Sequence, residues 1–156
     1  MTEGQPIPGF SDAVREAFSR KGLLAKSKDF SYRPQQQELA VAVAEALIGA
    51  NPLVAEAGTG VGKSLAYLLP AARFALETGR KGIISTHTIN LQEQLIGKDL
   101  PMLAHALPVP FSYTMLKGRQ NYLCTRRMHR TFLQAESLLL SPEFSAATYT
   151  IGLSSQ

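Results

Sequence analysis

Cysteine and long hydrophobic runs are scarce in this sequence. Its 156 residues include one Cys, which excludes a disulfide framework and, within this chain alone, a Cys-rich metal cage. No apolar run approaches the roughly 20 residues of a membrane span. Met1 to Pro8 lack the basic and apolar regions of a secretory signal. The sequence therefore predicts a cytoplasmic protein that does not engage a membrane.

Acidic residues are absent from one long stretch, between Leu100 and Ala135. Five of the 16 basic residues fall inside it: Lys117, Arg119, Arg126, Arg127 and Arg130. The rest of the chain is slightly acidic, so this cluster accounts for the net charge of +4. Such a cluster predicts either a surface that binds a polyanion or a solvated helix face, and charge alone does not separate the two.

The remaining composition is that of an ordinary globular protein, 45% hydrophobic and 18% charged. Its length matches one compact domain. Hydrophobic spacing predicts helices over 11–20, 34–49, 63–76 and 88–96, and strands over 53–55, 82–86 and 111–116. Strands that alternate with helices of this length predict parallel βαβ units. The expected fold is α/β, an incomplete doubly wound parallel sheet, because three strands in sequence make only its start. The final segment, 141–156, is expected to be a cut end.

The strongest motif is the stretch Glu-Ala-Gly-Thr-Gly-Val-Gly-Lys-Ser, from Glu56 to Ser64. It has the Walker A spacing, with Ala57 where the stricter pattern has Gly. Its glycines let backbone N–H groups surround a phosphate chain, and the following helix directs its positive end at the same anion. Lys63 is expected to reach the β- and γ-phosphates, and the Ser64 hydroxyl to ligate Mg²⁺.

The stretch therefore predicts a site for a nucleoside triphosphate. The residues expected to bind it are Ala57, Gly58, Thr59, Gly60, Val61, Gly62, Lys63 and Ser64. A Gly-rich turn without a ligand is the alternative, and both the Gly-Lys-Ser ending and the predicted strand–helix context oppose it. Kinases, GTPases, transporters and helicases all use such loops, so the function has to come from the flanking segments.

Four blocks in order resemble the DinG/XPD-like group of superfamily 2 helicases, from about Phe30 to Arg130. Residues 56–64 resemble motif I of that group, and 30–39 resemble its Q-motif region. Residues 85–95 look like motif Ia, and 116–124 resemble the segment that opens the iron–sulfur insertion. The resemblance implies a RecA-like P-loop domain and ATP as the nucleotide.

The resemblance also assigns roles outside the loop. It implies that Gln36, helped by Arg33, selects adenine, since an amide can both donate and accept; without the family pattern Gln36 would be read as a helix-surface residue. It implies contact with single-stranded DNA by the motif Ia residues Thr86, His87, Thr88 and Asn90. Short polar side chains can hydrogen-bond phosphates without reading sequence. Thr88 also fits a helix N-cap, and both roles can hold together.

Cys124 is, under the resemblance, the first of four ligands of a [4Fe–4S] cluster. A lone Cys is otherwise most often a small buried apolar residue, and this chain supplies no second Cys. Around it, arginines beside an aromatic ring have the composition of a groove that follows a phosphodiester backbone. The residues expected there are Lys117, Arg119, Tyr122, Arg126 and Arg127.

The overall expectation is the N-terminal part of a DinG-like, ATP-dependent DNA helicase, a monomer that moves 5′ to 3′ on single-stranded DNA in DNA repair. Its expected parts are an N-terminal helix and connector (1–29), the start of motor lobe 1 (30–116) and the start of an iron–sulfur-type insertion (117–156). The family's Asp-Glu-x-His box is absent, because no two acidic residues are adjacent. The chain alone is therefore expected to bind ATP weakly without hydrolysing it. A P-loop kinase and a non-catalytic nucleic-acid-binding module are the alternatives.

Overall fold

Helices form all the regular structure in the described part of the chain, which in this computed structural model comprises residues 7–27 and 30–139. The α-helices are α1 (Phe10–Ala17), α2 (Pro34–Gly49), α3 (Lys63–Thr78), α4 (Ile89–Gln94), α5 (Leu100–Ala106) and α6 (Thr125–Leu139). Two 3₁₀ turns (Leu23–Lys26 and Arg119–Asn121) and one π-helical turn (Leu95–Asp99) complete the set. The chain divides into two compact units, Met1–Met115 and Leu116–Gln156. The predicted cut end at 141–156 lies outside the described residues.

The hydrophobic core lies in the first unit, where α2 and α3 pack against each other and α1 packs on α2. Ala40 and Ala44 of α2 and Ala66 of α3 are fully buried, and such small side chains let two helix backbones approach closely. Pro34 begins α2 at a position where the missing N–H costs nothing. The predicted helix over 34–49 is confirmed, and α3 begins at Lys63 as predicted.

The predicted parallel sheet is wrong, because the described residues contain no strand. The segments 53–55, 82–86 and 111–116 are irregular, and Val54 and Ile83 are 99% and 94% exposed. A strand exists only where neighbouring strands satisfy its N–H and C=O groups. A short β-branched run shows that its side chains favour a strand, but it does not show whether a second strand lies beside it. The predicted strands therefore have no partner strands among the described residues.

The predicted end of the helix over 88–96 is also wrong, since α4, the π-helical turn and α5 follow one another without a break up to Ala106. Pro101 lacks an N–H and its ring crowds the carbonyl four residues earlier, at Gly97. The helix accommodates this by widening into the π-helical turn just before Pro101. None of the helices in residues 7–27 and 30–139 combines the length and apolar character needed to cross a membrane.

The turn after α1 leaves no room for a side chain at Gly22. A Cβ there would collide with the carbonyl oxygens of Glu16 and Ala17. These oxygens belong to the end of α1, whose side chains form part of the core, so they cannot move freely. Gly22 thereby sets how closely the following 3₁₀ turn, with the fully buried Leu24, approaches α1.

Gly22→Ala is therefore expected to lower the free energy of unfolding by about 1–3 kcal/mol through overpacking. Urea unfolding followed by circular dichroism would measure the change. Gly82→Ala is the matched control, because a Cβ at Gly82 meets nothing within 4 Å. Equal stability of the two variants would contradict this account of the turn.

Candidate nucleotide-binding site

The loop before α3 closes through two glycines in the left-handed region. Gly60 has φ 80° and Gly62 has φ 85°, conformations that residues with a Cβ seldom adopt. Gly62 immediately precedes Lys63, the first residue of α3. The first N–H groups of a helix have no partners within it, so the loop ends where α3 presents unpaired donors and the positive end of its dipole.

The Lys63 side chain folds back over this loop. Its Nζ donates hydrogen bonds to the carbonyl oxygens of Ala57, at 2.7 Å, and Gly58, at 3.0 Å. The start and the end of the loop are thus joined by one exposed cation. Both partners are oxygen acceptors, so the amine already occupies a position that suits negatively charged or polar oxygen.

Gln36 lies beneath the end of the loop and is only 1% exposed. Its Nε2 donates to the Gly62 carbonyl oxygen at 2.8 Å, while its Oε1 is buried and has no partner. An Arg33 guanidinium nitrogen would lie 3.5 Å from a Cβ built on Gly62. The structure thus brings both predicted adenine-selecting residues to the loop, and it excludes the reading of Gln36 as a helix-surface residue.

Two residues on or near α3, Tyr67 and Asp99, were not predicted from the sequence. Tyr67 lies one turn after Ser64, and Asp99 sits on the π-helical turn, which packs against α3. Burial raises the pKa of the Tyr67 phenol; the neighbouring Ser64 hydroxyl lowers it and the Asp99 charge raises it further. Asp99 is itself buried and accepts a hydrogen bond from Gln94 Nε2 at 3.0 Å. The i, i+3 spacing of Ser64 and Tyr67 was a signal that could have pointed to this group.

The motif Ia residues surround the start of α4. The Thr88 hydroxyl oxygen accepts a hydrogen bond from the Leu91 N–H at 3.3 Å, so its predicted capping role is confirmed. Thr86 Oγ1 donates to the Thr88 carbonyl oxygen at 3.4 Å. His87, Thr88 and Asn90 are exposed and Thr86 is half-buried, which leaves polar atoms of this turn open to a ligand.

In the second unit, the predicted cations flank the start of α6. Arg126, Arg127 and Arg130 are exposed, and no ion pair joins them to another described side chain. The Tyr122 hydroxyl oxygen accepts a hydrogen bond from the Lys117 N–H at 2.9 Å. This contact fixes the segment before the helix, with Arg119 in its 3₁₀ turn.

Cys124 is exposed and directly precedes α6. No group of three His, Cys, Asp or Glu side chains within residues 7–27 and 30–139 could hold a metal ion. Since an iron–sulfur cluster needs four ligands and the sequence has one Cys, the residues of this chain do not by themselves fit the predicted cluster.

Ionisation of Tyr67 is expected to destabilise the fold in alkali. Its pKa in the folded state lies above the ordinary value of 10.0, so the unfolded chain releases the proton first. The contribution to stability is full below about pH 10 and is lost as the pH rises through the folded pKa. Urea midpoints measured on both sides of pH 10 should therefore fall more in the wild type than in Tyr67→Phe. Parallel pH curves for the two proteins would contradict this assignment.

Known proteins with sequences similar to this chain include two helicases and an exonuclease. ATP-dependent DNA helicase YoaA of Haemophilus influenzae is 43% identical over 126 residues, which is 80% of this chain and 19% of that protein. ATP-dependent helicase DinG of Mycobacterium tuberculosis is 48% identical over 103 residues, 64% of this chain and 16% of that protein. The 3′-5′ exonuclease DinG of Staphylococcus haemolyticus is 38% identical over 118 residues, 76% of this chain and 13% of that protein.

The chain thus spans less than a fifth of the length of each of these relatives. No protein-family model matches the sequence. No solved structure matches the chain either.

Proposed function

We propose that this chain, whose sequence is that of a DinG-like helicase over the matched residues, binds ATP and single-stranded DNA as part of an ATP-dependent DNA helicase. The observation that carries this proposal is the loop closed by Gly60 and Gly62 onto α3, with Lys63 and Ser64 at its mouth. Neither a kinase nor a non-catalytic module is favoured, because the relatives compared above are named as helicases and an exonuclease.

When ATP binds at this P-loop, the Lys63 side chain changes its hydrogen-bond partners. The Lys63 amine exchanges the Ala57 and Gly58 carbonyl oxygens for oxygens of the β- and γ-phosphates, which carry more negative charge. The backbone N–H groups of 57–62 and the first turn of α3 complete the phosphate cradle. Mg²⁺ fits the Ser64 hydroxyl, a hard oxygen ligand, and when bound it neutralises phosphate charge.

Adenine is held by the pair beneath the loop, Gln36 and Arg33. The Gln36 Oε1 is a buried acceptor without a partner, and leaving such an atom unpaired costs about 1–3 kcal/mol. The exocyclic amine of adenine is a donor that would satisfy it. Because Gln36 Nε2 is already committed to Gly62, this amide would link base recognition to the shape of the phosphate loop.

Single-stranded DNA binds at two surfaces, one in each unit. The first is the polar turn at the start of α4, formed by Thr86, His87, Thr88 and Asn90. The second is the basic segment around α6, formed by Lys117, Arg119, Tyr122, Arg126 and Arg127. Exposed arginines next to an aromatic ring suit a flexible strand, because they neutralise phosphates and the ring stacks on bases of any sequence.

The whole enzyme would couple hydrolysis to translocation, 5′ to 3′, in DNA repair in the cytoplasm, as a monomer. In it, 1–29 form an N-terminal helix and connector, 30–116 belong to the motor lobe and 117–156 open an insertion that carries Cys124. No adjacent pair of acidic residues occurs in this chain, so it does not supply the metal-holding acid that hydrolysis needs. We derive no step through an iron–sulfur cluster.

Removing the loop cation tests the ATP site. Lys63→Met keeps the aliphatic stem and is expected to weaken Mg·ATP binding at least about tenfold, roughly 1.4 kcal/mol, because a charge-assisted contact to phosphate is lost. Fluorescence titration with a labelled ATP analogue would measure it, with the exposed Lys81→Met as control. Binding that is equal in Lys63→Met and the wild type would contradict the site.

Removing two cations of α6 tests the DNA surface. The double change Arg126→Ala, Arg127→Ala is expected to weaken binding to an oligothymidine and to reduce the slope of log affinity against log salt by roughly 1.4, or 0.7 per lost phosphate contact. The adjacent exposed pair Arg80→Ala, Lys81→Ala removes the same charge elsewhere and is expected to keep the slope. A slope that falls equally in both variants would show only a net-charge effect.

A further inference from the structure

One acidic side chain is buried on the turn that packs against α3, the helix that follows the proposed phosphate loop. Asp99 is 7% exposed, and among the described residues it is the one acidic side chain that is buried. It ends the π-helical turn that packs against α3. Burying a carboxylate is costly unless hydrogen bonds compensate it, and Gln94 Nε2 supplies one at 3.0 Å.

Tyr67 interacts with both this acid and Ser64. Tyr67 and Ser64 are three residues apart on α3, so they share one face of the helix. The phenol is half-buried, with the Ser64 hydroxyl and the Asp99 charge as its polar neighbours. A Phe would fill the same space without a polar group, so packing alone does not explain a phenol here.

Gln94 joins this group to the proposed DNA surface. It is the last residue of α4, which begins at the Thr88 cap and carries Asn90. α4 continues without a break into the π-helical turn that ends at Asp99, so a shift at this turn also displaces Gln94 and the start of α4, with Thr88 and Asn90. The four residues therefore run from the metal-binding hydroxyl to one end of the DNA-facing helix.

We infer that Tyr67 and Asp99 are positioning residues that couple Mg²⁺–nucleotide binding at Ser64 to the placement of α4 for DNA. This inference rests on the proposed function. With a metal on its oxygen, the Ser64 hydroxyl would be a stronger hydrogen-bond donor towards the Tyr67 oxygen. The Tyr67 O–H then donates to the Asp99 carboxylate, which also accepts from Gln94.

In the proposed arrangement each donor has an acceptor, and such chains of hydrogen bonds strengthen cooperatively. The metal therefore favours one position of Gln94 and of α4. Coupling of this kind is reciprocal: if the nucleotide with its metal tightens DNA binding by some factor, DNA tightens the nucleotide by the same factor.

The experiment measures that factor on the full chain. The dissociation constant of a fluorescent oligothymidine is determined without nucleotide, with a non-hydrolysable ATP analogue in EDTA, and with the analogue plus Mg²⁺. We expect the wild type to bind DNA on the order of fivefold more tightly in the presence of the Mg²⁺ complex, and to show no gain in EDTA. The measure of coupling is the ratio of the DNA dissociation constant without nucleotide to that with the analogue and Mg²⁺. Contributions to DNA binding that do not depend on α4 cancel in this ratio.

Tyr67→Phe and Asp99→Asn are each expected to bring the ratio to about one, while the affinities for each ligand alone stay within about twofold of the wild type. Because the two residues act in one series of hydrogen bonds, the double variant should lose no more coupling than either single variant. Tyr113→Phe, which removes a phenol elsewhere in the first unit, is the matched control and should keep the wild-type ratio.

The outcomes separate the inference from the function beneath it. A wild type that binds neither the nucleotide nor DNA overturns both. A wild type that binds both ligands with a ratio of one overturns the inference alone, and so does a wild-type ratio in Tyr67→Phe. Equal weakening of both single-ligand affinities with an unchanged ratio would assign Tyr67 to packing and would also overturn it.

Discussion

The hydrogen bond from the Gln36 amide to the Gly62 carbonyl is the contact on which the site depends. It ties the first turns of α2 to the residue that precedes α3, across 26 positions of sequence. The alanine-lined packing of α2 against α3 holds the two helices at the distance this bond requires. Gly62 has to be a glycine on two counts: its φ is positive, and a Cβ would collide with the same amide. The conformation of the phosphate loop is therefore set by Gln36 of α2 as well as by the glycines of the loop itself.

Local signals in the sequence predicted the helices well and the sheet wrongly. Pro34, the apolar spacing after it and the Gly-Lys-Ser ending are all features of neighbouring residues, and they placed α2 and the start of α3 correctly. A strand instead depends on a distant partner, which a run such as 82–86 does not contain. The end of α4 failed for a related reason: Pro101 was expected to follow the helix end, whereas the helix absorbs it by widening.

The candidate site shows the same division. Arg33, Gln36 and the loop were identified by motif, and the structure brings them together. Tyr67 and Asp99 stayed invisible because neither belongs to a motif, and their significance comes from burial and from helices that meet only in the fold. The cations of α6 are the opposite case, since their exposure followed directly from a long stretch without acidic residues.

The continuous helix from Ile89 to Ala106 is anchored in the core mainly through its later part. Leu95 and Leu103 bury their side chains in the core, whereas α4 itself contains no fully buried residue. The later part of this helix is held in the core, while α4 contacts the core through the half-buried Leu91, and Thr88 lies about 10 Å from Leu95 at the rise of an α-helix. The π-helical turn, which ends at Asp99, belongs to this anchored part. A small rotation at the π-helical turn therefore displaces Thr88 more than Leu95, because Thr88 lies farther from the buried part of the helix.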